Sequence, residues 1–464
     1  MRNRKVVRAI VSLAMIGTFV LALQTAGMPI AVASCMVFLL SAFLVKRSCY
    51  VLDLRRISVT SFWYLTYLAM IFFPSFVIYY NQDGHYRDVY LFAVESVLIT
   101  VPLGWLWADW LWDFNRVEID RFYQLPIVEA VGENRLSRRV WILLLFCMIL
   151  VVAYIREVRT IPLLYLLRHP GEAAELALLR EEAFKLLDSR LEYFYYLARQ
   201  VFFPLLILVA LGAYLEVRSR GWFFTLAIAG TTGLAFAAFS LAKAPVALIF
   251  LAGGIFYYLY KQGQPSRKIV AALLILIFLF PVVVITYATS VSSADSGTTW
   301  LVAAAIGSRL FYVPAEVLYY YFEVFPKHIP YLHGRGTEKL AKLLGVPYFD
   351  TPNAVGVYAY PQGLESISAN AAFVADLNAD FGLWGVLLGG LLAGGIMQSM
   401  QVYVLRRTKT ITTLAMFSFL MVVFWFLNST SLPTVLASDG AVLALAAGLY
   451  FDRPQYGRLV RAPA

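Results

Sequence analysis

Long apolar runs separated by short polar links fill most of the chain. About 20 consecutive apolar residues are what an α-helix needs to cross hydrocarbon. In lipid every backbone polar group must be satisfied within the structure, so such runs become helices. The pattern predicts spans at 7–27, 28–45, 59–80, 88–110, 140–158, 196–216, 220–240, 243–260, 269–290, 381–404, 411–427 and 436–451. The expected fold is therefore all-α: one polytopic membrane domain, 1–464, of about 12 transmembrane helices.

Two segments break the pattern. The first, the expected outer-face loop 156–195, runs into the next span through EAAELALLREEAFKLLDSRLEYFYYLARQ, Glu172–Gln200, with apolar residues at helical spacing and charges between them. That is the signature of an amphipathic helix lying on a membrane surface. Residues 290–381 form the larger break. Within them Trp300–Phe325 is apolar enough to cross, but a crossing would invert every later link. The expectation is a re-entrant or interfacial helix, broken near Pro314 because proline disrupts a helix interior.

Composition supports the membrane reading: 61% of residues are hydrophobic and 14% charged, against about 25% charged in soluble domains. The net charge of +10 does not point to nucleic acid, because the basic residues sit in short links. These links are MRNRK, KRSCYVLDLRR, VRSR, KQGQPSRK, RRTK and the tail DRPQYGRLVR. All fall on one side, which the positive-inside rule makes cytoplasmic, with both termini inside. The opposite side receives NQDGHYRD, 156–195, the Leu241–Lys243 link, 290–381 and NSTSLPTVLASDG. Cys35, Cys49 and Cys147 are scattered and suggest neither a disulfide framework nor a metal site. Val32–Cys35 loosely resembles a lipoprotein cleavage box, but the apolar run continues past it.

Phosphate-loop, dinucleotide-binding, zinc-protease and nucleophile-elbow motifs are all missing. No DxD pair stands in the chain and no cofactor is expected, so any energy source must come with the substrate. Cations occur where hydrocarbon makes them costly: Lys243 in SLAKAPVA, Arg309 in GSRLFYVPAE and Arg199 at the start of a span. Each either snorkels, forms a structural ion pair, or faces a hydrated pocket for phosphate. His328 and His333 lie in the 290–381 break, and neutral histidine suits proton transfer near neutral pH. Asp376 and Asp380 are four apart on one face of a short helix. With Asn370 they either bind a sugar or ion, or simply open a helix. Tyrosines including Tyr312 and Tyr320 either stack on sugars or form an interfacial belt. Arg168 and Arg180 of the amphipathic segment either cap the structure or bind an anionic headgroup. Glu95 and Asp439 are expected to pair with buried cations.

Five stretches carry a resemblance: SLAKAP; GSRLFYVPAEVLYYYF; FPKHIPYLHG; FDTPNAVG; and SANAAFVADLNADFGLWG before a glycine-rich span. Together they resemble bacterial oligosaccharide repeat-unit polymerases of the Wzy (O-antigen polymerase) type, most clearly from Lys243 to Gly395. The resemblance implies a GT-C-like integral glycosyltransferase at the outer face of the bacterial inner membrane. Its substrates would be undecaprenyl-diphosphate-linked oligosaccharides seated among membrane lipid, its chemistry metal-independent, and a chain-length regulator its partner. On that reading Arg309, Lys243 and Arg180 contact the diphosphate, and His333, or alternatively Asp376 or Asp380, takes the proton. Arg335 orients substrate, and Asn370, Tyr312 and Tyr320 contact sugar. An O-antigen ligase would share the donor and the basic pocket. A transporter or flippase of lipid-linked sugars would instead carry charges along a central path.

Overall fold

The computed structural model describes residues 2–49, 55–128, 133–158, 160–169, 179, 189–263, 307–309, 311–360 and 368–452, and the side chains of all these but 2–13, 133, 189, 190 and 243. Among the described residues every regular element is a helix. Of the twelve expected spans, nine appear among the described residues as helices long and apolar enough to cross a membrane: Met28–Ser48, Val59–Asn81, Arg87–Leu111, Asn134–Glu157, Leu191–Val217, Arg220–Phe239, Phe373–Leu405, Ile411–Asn428 and Leu432–Phe451. Two further expected spans are helical but have shorter apolar parts, Ala14–Ala26 and Ala244–Tyr260. The expected span 269–290 lies outside the described residues, as do 170–178 and 180–188 of the amphipathic segment. From the ambiguous Trp300–Phe325 stretch the structure describes a helix of 12 residues, Val313–Val324, with Pro314 in its first turn. At 1.5 Å per residue it reaches only about 18 Å, short of a bilayer core.

The chain divides into two compact units: Met1–Arg121 with Gly307–Tyr403 and Phe424–Val435, and Phe122–Ile306 with Val404–Val423 and Leu436–Ala464. In the first unit, glycines let two spans approach closely. A Cβ on Gly104 would lie 2.1 Å from the Leu391 carbonyl oxygen, and one on Gly394 would lie 2.2 Å from that of Val101. Small residues at such crossings give membrane helices the contact that a hydrophobic driving force cannot supply between apolar surfaces in lipid. Trp63 adds an edge-on contact with Trp105, ring centroids 6.1 Å apart.

Two buried carboxylates of this unit accept from neutral donors. Glu95, expected to pair with a cation, accepts the Ser34 hydroxyl. Asp109 accepts Ser48 Oγ at 2.6 Å and Gln398 Nε2 at 2.5 Å. Gln401 continues the chain to Gln398 at 2.9 Å and accepts the Thr60 amide at 3.2 Å. This network joins three spans and the start of a fourth at the end opposite the Gln82–Tyr86 loop.

Each unit also contains a span interrupted by a π-turn that ends on the first residue of a Phe-Phe-Pro sequence. In the first unit the turn is Leu68–Phe72, before Phe73 and Pro74. In the second it is Ala198–Phe202, before Phe203 and Pro204. Proline lacks an N–H and its ring crowds the carbonyl four residues earlier. The wider turn, closed by Phe73 N–H to the Leu68 carbonyl and Phe203 N–H to that of Ala198, relieves that crowding without ending the helix.

In the second unit the Arg199 guanidinium donates to Ser240 Oγ at 2.9 Å and lies over the Tyr196 ring. Tyr196 in turn donates to Asp439 at 2.8 Å. Arg199 and Asp439 thus belong to a built-in polar group at these helix ends. Lys409, in the loop between two spans, is buried and donates to the carbonyls of Tyr123 and Leu125 at 3.3 and 2.8 Å. Burial lowers its pKa from 10.5 to about 8.

Two outcomes follow from these contacts. Gly394→Leu forces a side chain into the Val101 backbone, and overpacking of this kind costs about 1–3 kcal/mol or more; thermal unfolding in detergent will show a lower midpoint. Between about pH 8 and 10.5 the folded protein holds fewer protons at Lys409 than the unfolded chain does. Stability therefore rises with pH across that window, by up to about 1.4 kcal/mol per unit. Chemical unfolding at a series of pH values will lose that rise in Lys409→Met.

Candidate functional site

Residues 307–360 and 368–381 gather at the Gln82–Tyr86 end of the first unit. Tyr90 Oη donates to the Ala315 carbonyl at 3.1 Å, and Asn81 Nδ2 to Tyr312 Oη at 3.5 Å. Tyr321 Oη reaches the Ala369 carbonyl at 3.1 Å, and the Ala369 amide donates to the Pro352 carbonyl at 3.0 Å. These bonds fasten the Val313–Val324 helix and the Thr351–Ala359 helix to the segment that leads into Phe373–Leu405.

That last helix is two helices. Gly382 has φ 63° and ψ −156°, which breaks the run and sets Phe373–Phe381 apart from the membrane span that follows. A Cβ at Gly382 would lie 2.9 Å from the Tyr331 ring. Glycine is needed there both for its backbone angles and for this close approach.

The loop Leu332–Thr337 is held on the Phe373–Phe381 helix by Asp380. Its Oδ1 accepts the backbone amides of Gly334 at 2.9 Å and Gly336 at 2.8 Å, and its Oδ2 accepts the Thr337 hydroxyl at 3.5 Å. Around this carboxylate, the Leu332 amide donates to the Ala379 carbonyl and the His333 amide to that of Asp380, both at 2.9 Å. The pinned loop raises His333 in a left-handed conformation, φ 51°, with its side chain exposed. Asp380 is 2% exposed and committed to the loop. Its geometry is that of a clamp on this loop.

Arg335 is exposed, and its Nε donates to the Pro347 carbonyl at 3.2 Å, leaving the end of the guanidinium for other partners. Asp376 is half-buried one turn before Asp380. It lies close enough to Tyr348 for its charge, with burial first and Asp350 second, to push that hydroxyl up to about 12. Asn370 is exposed at the start of the segment. His333, Arg335, Asp376 and Asp380 thus belong to one structural block; Tyr320 lies on the neighbouring Val313–Val324 helix, Tyr312 caps its start and Arg309 precedes it. Arg309 is exposed and near Tyr360, whose hydroxyl is raised by burial and by Glu316 and lowered by Arg309. Lys243 opens the Lys243–Tyr260 helix of the second unit. Arg180 lies outside the described residues.

Two carboxylates missed in the sequence join this group. Glu316 and Glu323 lie on the Val313–Val324 helix with Tyr320 between them, at steps of four and three residues that place all three on one face. The spacing was visible, but the apolar run around it drew attention to membrane crossing instead.

No family model, no curated protein and no solved structure matches the chain.

Replacing Asp380 with alanine leaves two inward-facing amides without their acceptor, a cost of about 1–3 kcal/mol for each unsatisfied group. Hydrogen exchange will then accelerate at Gly334 and Gly336 by at least about tenfold. The Arg87–Leu111 span will keep its protection.

Proposed function

We propose that the chain polymerises oligosaccharide repeat units carried on a polyprenyl diphosphate, at the outer face of a bacterial inner membrane. The observation that carries this reading is the clamped loop. A buried carboxylate spends its acceptor capacity on holding a histidine exposed beside an arginine, at one end of a bundle of apolar helices. A site for a membrane-held sugar diphosphate needs such a proton acceptor and fixed cations near the bilayer surface.

In the proposed step the acceptor sugar's hydroxyl oxygen bonds to the anomeric carbon of the donor glycan. The bond from that carbon to the diphosphate oxygen breaks, and polyprenyl diphosphate leaves with the electron pair. His333 takes the hydroxyl proton, with Asp376 as the alternative acceptor. Arg309 meets the charge that grows on the departing diphosphate, so it stabilises the transition state more than the ground state. Arg335 orients sugar or phosphate. Asp380 acts only through the loop, as a positioning residue. The positive-inside pattern of the links supports an outer position for this end, where lipid-linked repeat units are expected.

Purified protein incubated with lipid-linked repeat units, without added nucleotide, will give a ladder of products. Arg309→Ala will lower the rate by about 10²–10³-fold, the usual loss of one fixed electrostatic contact. His333→Ala will fall by a comparable factor, as removal of a general base typically costs about 10²–10⁴-fold. A ladder of normal rate in both variants would remove these assignments. Transfer to lipid A core but not to single repeat units would make the protein a ligase.

A further inference from the structure

Beside the Asp380 loop lies a second feature of different chemistry. Tyr312, Glu316, Tyr320 and Glu323 follow one another along one face of the Val313–Val324 helix. Two tyrosines from the end of the Thr351–Ala359 helix stand against them. The Tyr320 and Tyr360 rings meet at 6.2 Å and 70°. Tyr358 hydrogen-bonds Glu323 and lies 5.0 Å from the His328 ring. Tyr319, the next residue on the helix, is fully buried, and its hydroxyl has no hydrogen-bond partner among the described residues. That hydroxyl and Glu323 Oε1 both face Gly84, where a Cβ would lie 2.0 and 3.6 Å from them.

The chemistry of this face excludes several ligands. Two carboxylates repel a diphosphate. An apolar ligand would strip water from them without compensation. They are seven residues apart, about 10 Å along the helix, too far to share one cation. What fits is a ligand with apolar faces for the aromatic rings and many hydroxyls for the carboxylates. A glycan has both. The separation of Glu316 and Glu323 exceeds one sugar ring, so the ligand spans at least two. Burial alone raises the Glu316 carboxyl above the ordinary carboxylate range, as befits an acceptor whose donors arrive with a ligand.

We infer that Tyr312, Glu316, Tyr320 and Glu323, with Tyr358 and Tyr360, form a subsite for two or more sugar residues of the glycan chain, separate from the diphosphate contact at Arg309. The inference rests on the proposed function for its choice of glycan over other polyhydroxylated ligands.

The test uses the full-length protein in lipid nanodiscs and a lipid-free probe. That probe is the oligosaccharide released by mild acid from the producing organism's own surface polysaccharide. Saturation-transfer NMR will show contact to the sugar ring protons, and titration will give a Kd. Tyr320→Ala and Glu316→Gln will each weaken binding at least tenfold, while Tyr320→Phe, which keeps the ring, will stay within threefold of the parent. The inference falls if the parent shows no transfer, if inorganic diphosphate displaces the oligosaccharide, or if Tyr320→Ala and Glu316→Gln bind as the parent does. A product ladder with unaltered glycan binding in those variants removes this subsite and leaves the polymerase. Weakened binding in the variants without any ladder from the parent removes the polymerase and leaves the subsite.

Discussion

Everything at the candidate site depends on one carboxylate accepting two backbone amides. Asp380 takes the N–H groups of Gly334 and Gly336 in a place that excludes water. Hydrogen bonds to an ionised acceptor are about twice as strong as neutral ones. The bonded glycines fix the loop, and the loop fixes His333 and Arg335. Gly336 cannot be replaced cheaply, since a Cβ there would lie 2.9 Å from Thr351 Oγ1 and 3.0 Å from Asp380 Oδ1. The left-handed angles at His333 and Gly334 are held by the same contacts. A strained backbone at an exposed histidine persists only where its surroundings over-determine it.

The membrane imposes a second layer of constraint below this one. Carboxylates inside the first unit are matched to hydroxyls and amides, as with Asp109, Ser48 and Gln398. Spans meet through glycine where backbones must nearly touch. Both devices answer the same problem, that lipid offers neither hydrogen bonds nor a hydrophobic drive between helices. They give the loop block a firm base. The bond from Tyr90 to the Ala315 carbonyl transmits that firmness to the helix bearing Glu316 and Tyr320.

Much of the fold was legible because hydrocarbon leaves so few solutions: nine expected spans reappear as long apolar helices with boundaries shifted by a few residues. The 290–381 break marked His333 as lying outside the membrane spans, and its side chain is exposed. The role of Asp380 was not legible, because its partners lie 44 and 46 positions away and a helical i,i+4 pair with Asp376 offered a simpler reading. Glu95 misled in the same manner: a buried acid suggests a cation, yet a serine 61 residues earlier in the chain supplies its donor. Glu316 and Glu323 were overlooked because their surroundings are apolar enough to read as a wall.

The π-turns at Leu68–Phe72 and Ala198–Phe202 carry a consequence for helix phase. An α-helix advances about 100° per residue, so one extra residue in a turn offsets the faces on either side of it. In Val59–Asn81 and Leu191–Val217 the residues after the turn therefore point in directions offset from those before it. Such a helix can satisfy two differently oriented neighbours without bending far. Deleting one residue at either turn would restore a continuous phase and misdirect half of the span.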